Sequence, residues 1–250
     1  MNPNKIIIIA ILLTLTLALT ACDTIASIKS KCKGSDTGLI LDDMSASVHV
    51  GEIVKFGNYS WRVLEVRDGK ALLLTDKIVD SSIYDLEPAG GVTWETSFLR
   101  NYLNGVYLQN FTEEEQAQIA ETTISNPDNL WYGTPGGADT RDKLFLLSLE
   151  EADRYFGNSG DYLNERRISW NSKGKAVEND KGSYFSNVYD KKRAALIGNV
   201  GTWWWLRSPG ETSGSAATVN LGGSVGVSGR DVDASHPEMG GVRIALWLNP

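Results

Sequence analysis

The sequence predicts a single α+β domain with an N-terminal antiparallel meander, central helices and C-terminal antiparallel strands, spanning residues 48–250. Three observations point to it. Short runs rich in Val, Ile and Leu (Glu52 to Phe56, Tyr59 to Val66, Ala71 to Thr75) are separated by the turn pairs Gly57-Asn58 and Asp68-Gly69. Thr112 with Glu115, and Ser148 with Glu151, stand at the spacing of a helix capping box. Further strand candidates close the chain at Trp203 to Arg207, Ala216 to Leu221, Ser224 to Val227 and Val242 to Leu248. Strands, then helices, then strands is the order expected of an α+β fold.

Taken in order, residues 1–21 read as an export signal. Lys5 precedes an apolar run from Ile6 through Leu19 broken only by threonines, which is short for a membrane span. It ends in Leu19-Thr20-Ala21-Cys22, which resembles the bacterial lipobox. That resemblance implies cleavage before Cys22, acylation of its thiol, and an anchor in the cell membrane facing outside the cytoplasm. Residues 22–47 are mainly polar with little apolar periodicity and read as a tether. Beyond the meander, Leu99, Tyr102, Leu103 and Val106 recur at helical spacing within Thr96 to Gln109. Leu144 to Leu147 is strand-like, and Gly157 to Gly182, rich in Gly, Asn, Ser and Lys, reads as surface loop.

Composition narrows the partners. Lys and Arg total 24 against 31 Asp and Glu, and cleavage before Cys22 would remove one lysine, leaving 23 against 31, or −8. An acidic chain is unsuited to nucleic acid or an anionic lipid surface. With Cys22 acylated, Cys32 has no partner for a disulfide or thiolate metal site within the chain. His49 and His236 are the only histidines, and neither has a partner at metal-ligand spacing.

Several constellations resemble sites. Gly222-Gly223-Ser224-Val225-Gly226 has the G-x-S-x-G form, with Asp231, Asp233 and His236 following. A nucleophile elbow needs a helix after the turn, and strand-like flanks favour a glycine-rich hairpin instead. Asp231, Asp233 and Glu238 form the most oxygen-rich cluster; Ca2+ is the ion such ligands suit, but a solvated acidic turn accounts for them as well. Trp131 and Tyr132, in a loop rich in Gly and Pro, are the aromatic candidates for a ligand surface. Trp61, Trp94 and Trp247 are expected in the core. In Trp203-Trp204-Trp205, strand alternation puts Trp204 on one sheet face and its neighbours on the other. Arg207 and Arg243 follow apolar runs, so each is expected to meet a carboxylate such as Glu95 or Asp139 in a structural network.

Trp61-Arg62-Val63-Leu64, Thr93-Trp94-Glu95-Thr96-Ser97-Phe98-Leu99-Arg100-Asn101-Tyr102-Leu103, Trp204-Trp205-Leu206-Arg207-Ser208-Pro209-Gly210 and Gly241-Val242-Arg243-Ile244-Ala245-Leu246-Trp247-Leu248 together resemble the bacterial surface family called domain of unknown function 6273. Ile244 stands where that family usually has proline. The resemblance implies a remote kinship with C-type-lectin-like and formylglycine-generating-enzyme-like folds, in which a Trp-rich and an Arg-bearing strand pair in the core. It implies no activity. The enzyme branch needs active-site cysteines that are missing beyond Cys32, and Glu87-Pro88-Ala89 and Trp170-Asn171-Ser172 lack residues of the calcium-lectin loops. The expected function is therefore a non-enzymatic extracytoplasmic module binding a glycan or a surface protein. The alternatives are a structural envelope component and an enzyme with an unrecognised site.

Overall fold

Both meander turns form as their residues require. Asp68 and Gly69 adopt positive φ, 52° and 74°, the backbone whose twist suits a two-residue hairpin. The computed structural model describes residues 48–87, 90–233 and 239–249. The meander is β1 (Ile53–Phe56), β2 (Tyr59–Arg67) and β3 (Lys70–Thr75), followed by the short β4 (Asp80–Ser82). The first helix, α1 (Phe98–Asn104), is shorter than expected: Ser97 caps it, Gly105 stops it, and Tyr107–Asn110 continues as a 3-10 turn. Both capping boxes form, at α2 (Glu113–Gln118) and at α3 (Leu149–Arg154). Between them lie β5 (Ile119–Ala120), β6 (Thr122–Ile124) and β7 (Thr140–Asp142). Leu144 to Leu147 is buried but forms no strand; only Phe145 bridges, to Ala245.

The segment from Gly157 to Gly182 departs from its expectation. It contains a hairpin, β8 (Ile168–Trp170) and β9 (Ala176–Glu178), turned by Gly174 at φ 68°. The chain continues through β10 (Tyr184–Phe185), α4 (Asp190–Arg193), β11 (Ala195–Ile197) and β12 (Val200–Thr202). Last come β13 (Trp204–Pro209), β14 (Ser215–Val219), β15 (Val225–Asp231), β16 (Gly240–Val242) and β17 (Ala245–Leu248).

These strands build a five-stranded sheet, β1-β2-β3-β17-β5, and an eight-stranded sheet, β4-β16-β13-β14-β15-β10-β8-β9. The domain is thus rich in sheet, with short helices between. The terminal strand expected at Val242 to Leu248 is two strands. β16 pairs with β4 and β13 in the larger sheet, while β17 pairs with β3 and β5 in the smaller. Arg243 and Ile244 carry the chain across, so the last residues tie the two sheets together.

The expected core residues are buried: Trp61, Trp94, Trp204 and Trp247. Three of their indole N–H groups have acceptors, as burial demands. Trp61 Nε1 donates to Phe56 O at 2.8 Å, Trp94 Nε1 to Asp142 Oδ2 at 2.9 Å, and Trp204 Nε1 to Arg193 O at 3.1 Å. Trp203 and Trp205 meet edge-on, 4.7 Å between centroids, and they too are buried, so both sheet faces at this strand are covered.

Arg207 meets a carboxylate, though neither of those expected. It pairs with Glu151 and also donates to Leu146 O at 2.7 Å and Ser125 O at 3.0 Å. Glu95 instead accepts from the Ala138 amide and Asp139 from the Asn126 amide. Burial raises the Glu151 carboxyl, but the Arg207 charge and hydrogen bonds, the Ser148 amide and Arg154 outweigh it, so its pKa lies below the ordinary value. A carboxylate with a depressed folded-state pKa contributes stability that is present above its unfolded pKa and lost as pH falls through the folded one. The stability advantage of the wild type over Glu151→Gln should therefore shrink on acidification below the usual glutamate range. Parallel urea melts from neutral pH downward check this; a gap independent of pH would mean the pair is not ionised.

Candidate functional site

Trp170 ends β8, next to the edge strand β9 of the larger sheet, and is 66% exposed, the most exposed tryptophan among the described residues. Cross-strand packing holds it in place. Its ring stacks on that of Tyr184 in β10, with centroids 5.7 Å apart and planes at 22°. One indole face is thus backed by a buried phenol and the other is open. Beside the pair lies a cleft of about 550 Å³, lined also by Ser186 and Asp190 before and in α4, by Asn220, Leu221, Gly222 and Ser224 of the β14–β15 turn, and by Arg230.

The walls have distinct local causes. The β14–β15 turn is the glycine-rich hairpin expected from Gly222 to Gly226, not a nucleophile elbow. Gly223 has φ 93°, and a Cβ there would stand 1.8 Å from Asp190 O, so only glycine lets the turn lie against α4. Gly223 O accepts from Arg193 Nε at 2.8 Å, and Arg193 also binds Asp190 and Asn187, which fastens α4 to the turn. Asn220 Nδ2 donates to Ser224 Oγ at 3.1 Å, and Ser186 Oγ donates to Asp190.

Tyr184 supplies the most telling group. Its ring is buried and its hydroxyl has no hydrogen-bond partner among the described residues. Burial also raises its pKa, so the phenol remains a donor. A buried polar atom left unpaired is costly to the fold. The lining offers an aromatic face, a hydroxyl donor, amides, a carboxylate and a guanidinium; it contains no histidine or cysteine.

Residues 68–250 match the family described as Domain of unknown function (DUF6273). The chain belongs to the DUF6273 family. No curated protein and no solved structure matches it. Three of the four resembling segments lie inside the matched residues, whereas Trp61 to Leu64 precede them.

In this DUF6273 domain, Trp131, Tyr132, Asp231 and Asp233, the described residues among those expected from sequence to bind ligand, do not line the cleft. Trp131 is not exposed: it is 7% accessible, packed against Phe185 and Tyr162, with the Arg167 guanidinium 4.4 Å from its ring centroid. Its loop is pulled inward by Asn129, whose side-chain amide donates to Pro209 O, Gly210 O and Val227 O at 2.9, 3.2 and 2.9 Å. Tyr132 is half-buried against the same core. Asp231 and Asp233 are exposed on either side of the buried Val232. Glu238 and His236, like Cys22 and Cys32, lie outside the described residues. Among the described residues no group of three or more His, Cys, Asp or Glu gathers as a metal site, and no helix is long and apolar enough to cross a membrane.

Proposed function

We propose that this DUF6273 domain is a non-enzymatic binding module that takes a glycan on the open face of Trp170. The observation that carries the reading is an exposed indole, backed by Tyr184, at the edge of a cleft whose rim presents Asp190, Asn220, Ser224 and Arg230. Sugar rings have an apolar C–H face and an equatorial belt of hydroxyls. An aromatic platform covers the first, and a few placed polar groups fix the second. The remote kinship with C-type-lectin-like folds belongs to the same proposal and draws support from β13 and β16, which pair in parallel at Trp204 and Gly241 beside Arg243.

A protein ligand is the second reading, favoured by the exposed Leu221 at the rim. Screening the protein against bacterial cell-wall glycans separates the two. Saturable binding to one glycan class supports the first; a blank glycan screen with one surface protein captured supports the second and contradicts the first.

Display outside the cell on a lipid at Cys22 completes the proposal, supported by the Leu19 to Cys22 box. Cys22→Ser should abolish metabolic labelling with a radioactive fatty acid. Labelling that persists in the variant would contradict the anchor.

A further inference from the structure

The described residues include three buried arginines, and they are not equivalent. Arg193 faces Asp190 and, at 3.9 Å, Asp153; Arg207 pairs with Glu151. Arg243 is 2% accessible and has no carboxylate within ion-pair distance among the described residues. Its Nε and Nη2 donate to Thr75 O at 3.1 and 2.9 Å, and Nη2 also to Asp76 O at 3.3 Å. Its Nη1 has a single long contact, 3.5 Å to Arg193 O. Trp204 lies beneath the guanidinium, 4.9 Å from its centre. Burial lowers the Arg243 pKa to about 9, partly offset by Asp76, so the group is charged at neutral pH.

Arg243 is also at a surface cleft. A cavity of about 510 Å³ opens over it, walled by Tyr155 and Phe156 on one side and rimmed by Arg62, Lys191 and Lys192. Asp76 is the one acidic residue of the lining, and it is engaged by Arg62 at 2.9 Å. On a chain of net charge −7, this cleft holds four cations against one carboxylate. A buried cation is stable when an opposite charge meets it, and here Asp76 acts only at a distance while every hydrogen bond of the guanidinium goes to a carbonyl oxygen.

We infer that this cleft is an anion site, separate from the Trp170 platform, which takes a phosphate group between Arg243 and the lysines of α4. The charge count selects the ligand. With Arg62 offset by Asp76, Arg243, Lys191 and Lys192 remain, which a phosphate dianion balances better than a single carboxylate does. Guanidinium groups also match phosphate oxygens in geometry, and lysines add charge at the rim.

The test uses the full chain at low ionic strength, titrated calorimetrically with inorganic phosphate and, separately, with glucose 1-phosphate. Acetate and chloride serve as ionic-strength controls. Saturable phosphate binding that weakens at least tenfold in the exposed-residue variant Lys191→Glu/Lys192→Glu, with its ligand-free melting temperature unchanged, is the expected result. Tighter binding of glucose 1-phosphate than of phosphate would assign the site to a phosphorylated sugar, and equal binding would assign it to the free ion. Arg243→Lys, which keeps a charge but loses Nη1, the nitrogen with the single long contact, should also weaken binding. The inference is overturned if phosphate acts no differently from chloride, or if the lysine double variant binds as the wild type does. Trp170→Ala should leave phosphate binding intact.

Discussion

Deleting residues 241–250 should abolish cooperative unfolding altogether. β17 lies inside the five-stranded sheet, with Ala245 to Leu248 paired to Leu74 to Ala71 on one side and Trp247 and Leu248 paired to β5 on the other. The deletion empties the middle of that sheet and removes Ile244, Leu246, Trp247 and Leu248 from the core. At about 1.5–3 kcal/mol for each buried apolar side chain, the loss is comparable to the roughly 5–15 kcal/mol that stabilises a typical domain. It also cuts the crossing at Arg243 between the two sheets. Circular dichroism melts should show no sigmoidal transition; a truncated chain that melts cooperatively at the wild-type temperature would mean that the sheet assignment is wrong.

Trp131→Ala should cost about 3–5 kcal/mol, the range for emptying a core aromatic site, and should rank with Trp61→Ala. The ring fills the space between Phe185, Tyr162 and Arg167, and little around it is free to collapse, because Asn129 pins the loop to Pro209 O and Val227 O of the larger sheet and to Gly210 O beside it. Denaturant unfolding of both variants measures the ranking. A cost for Trp131→Ala below about 0.5 kcal/mol, the usual size of a surface substitution, would return that loop to the surface.

The contrast between Trp131 and Trp170 shows what the sequence reveals and what it hides. Periodicity and turn chemistry are local, so the meander, both capping boxes and the β14–β15 hairpin were legible from Val, Leu, Gly, Thr and Glu spacing alone. Loop burial is not local. A loop between Pro127 and Pro135 looks like surface, yet one amide at Asn129 reaching residues 80 to 98 positions away decides where Trp131 lies. The same logic of an aromatic in polar surroundings applied better to Trp170, within a Gly, Asn, Ser and Lys stretch, and there the side chain is exposed. What obscured it was the β8–β9 hairpin, whose strands are only three residues each, too short to show a period against the polar stretch around them, and of which β9 is the sheet's edge. The arginines followed the same division. Burial of Arg207 and Arg243 could be read from their apolar neighbours, but Glu151 as the partner of one, and backbone carbonyls as the acceptors of the other, depend on the tertiary fold.

The central claim, a glycan platform on Trp170, is tested most directly by titrating the best glycan from the screen into wild type and Trp170→Ala while recording the melting temperature of each. Because the ring is exposed and Tyr184 beneath it is buried, the variant should lose at least tenfold in affinity and melt close to the wild type. Glycan affinity that is unchanged in Trp170→Ala would contradict the account.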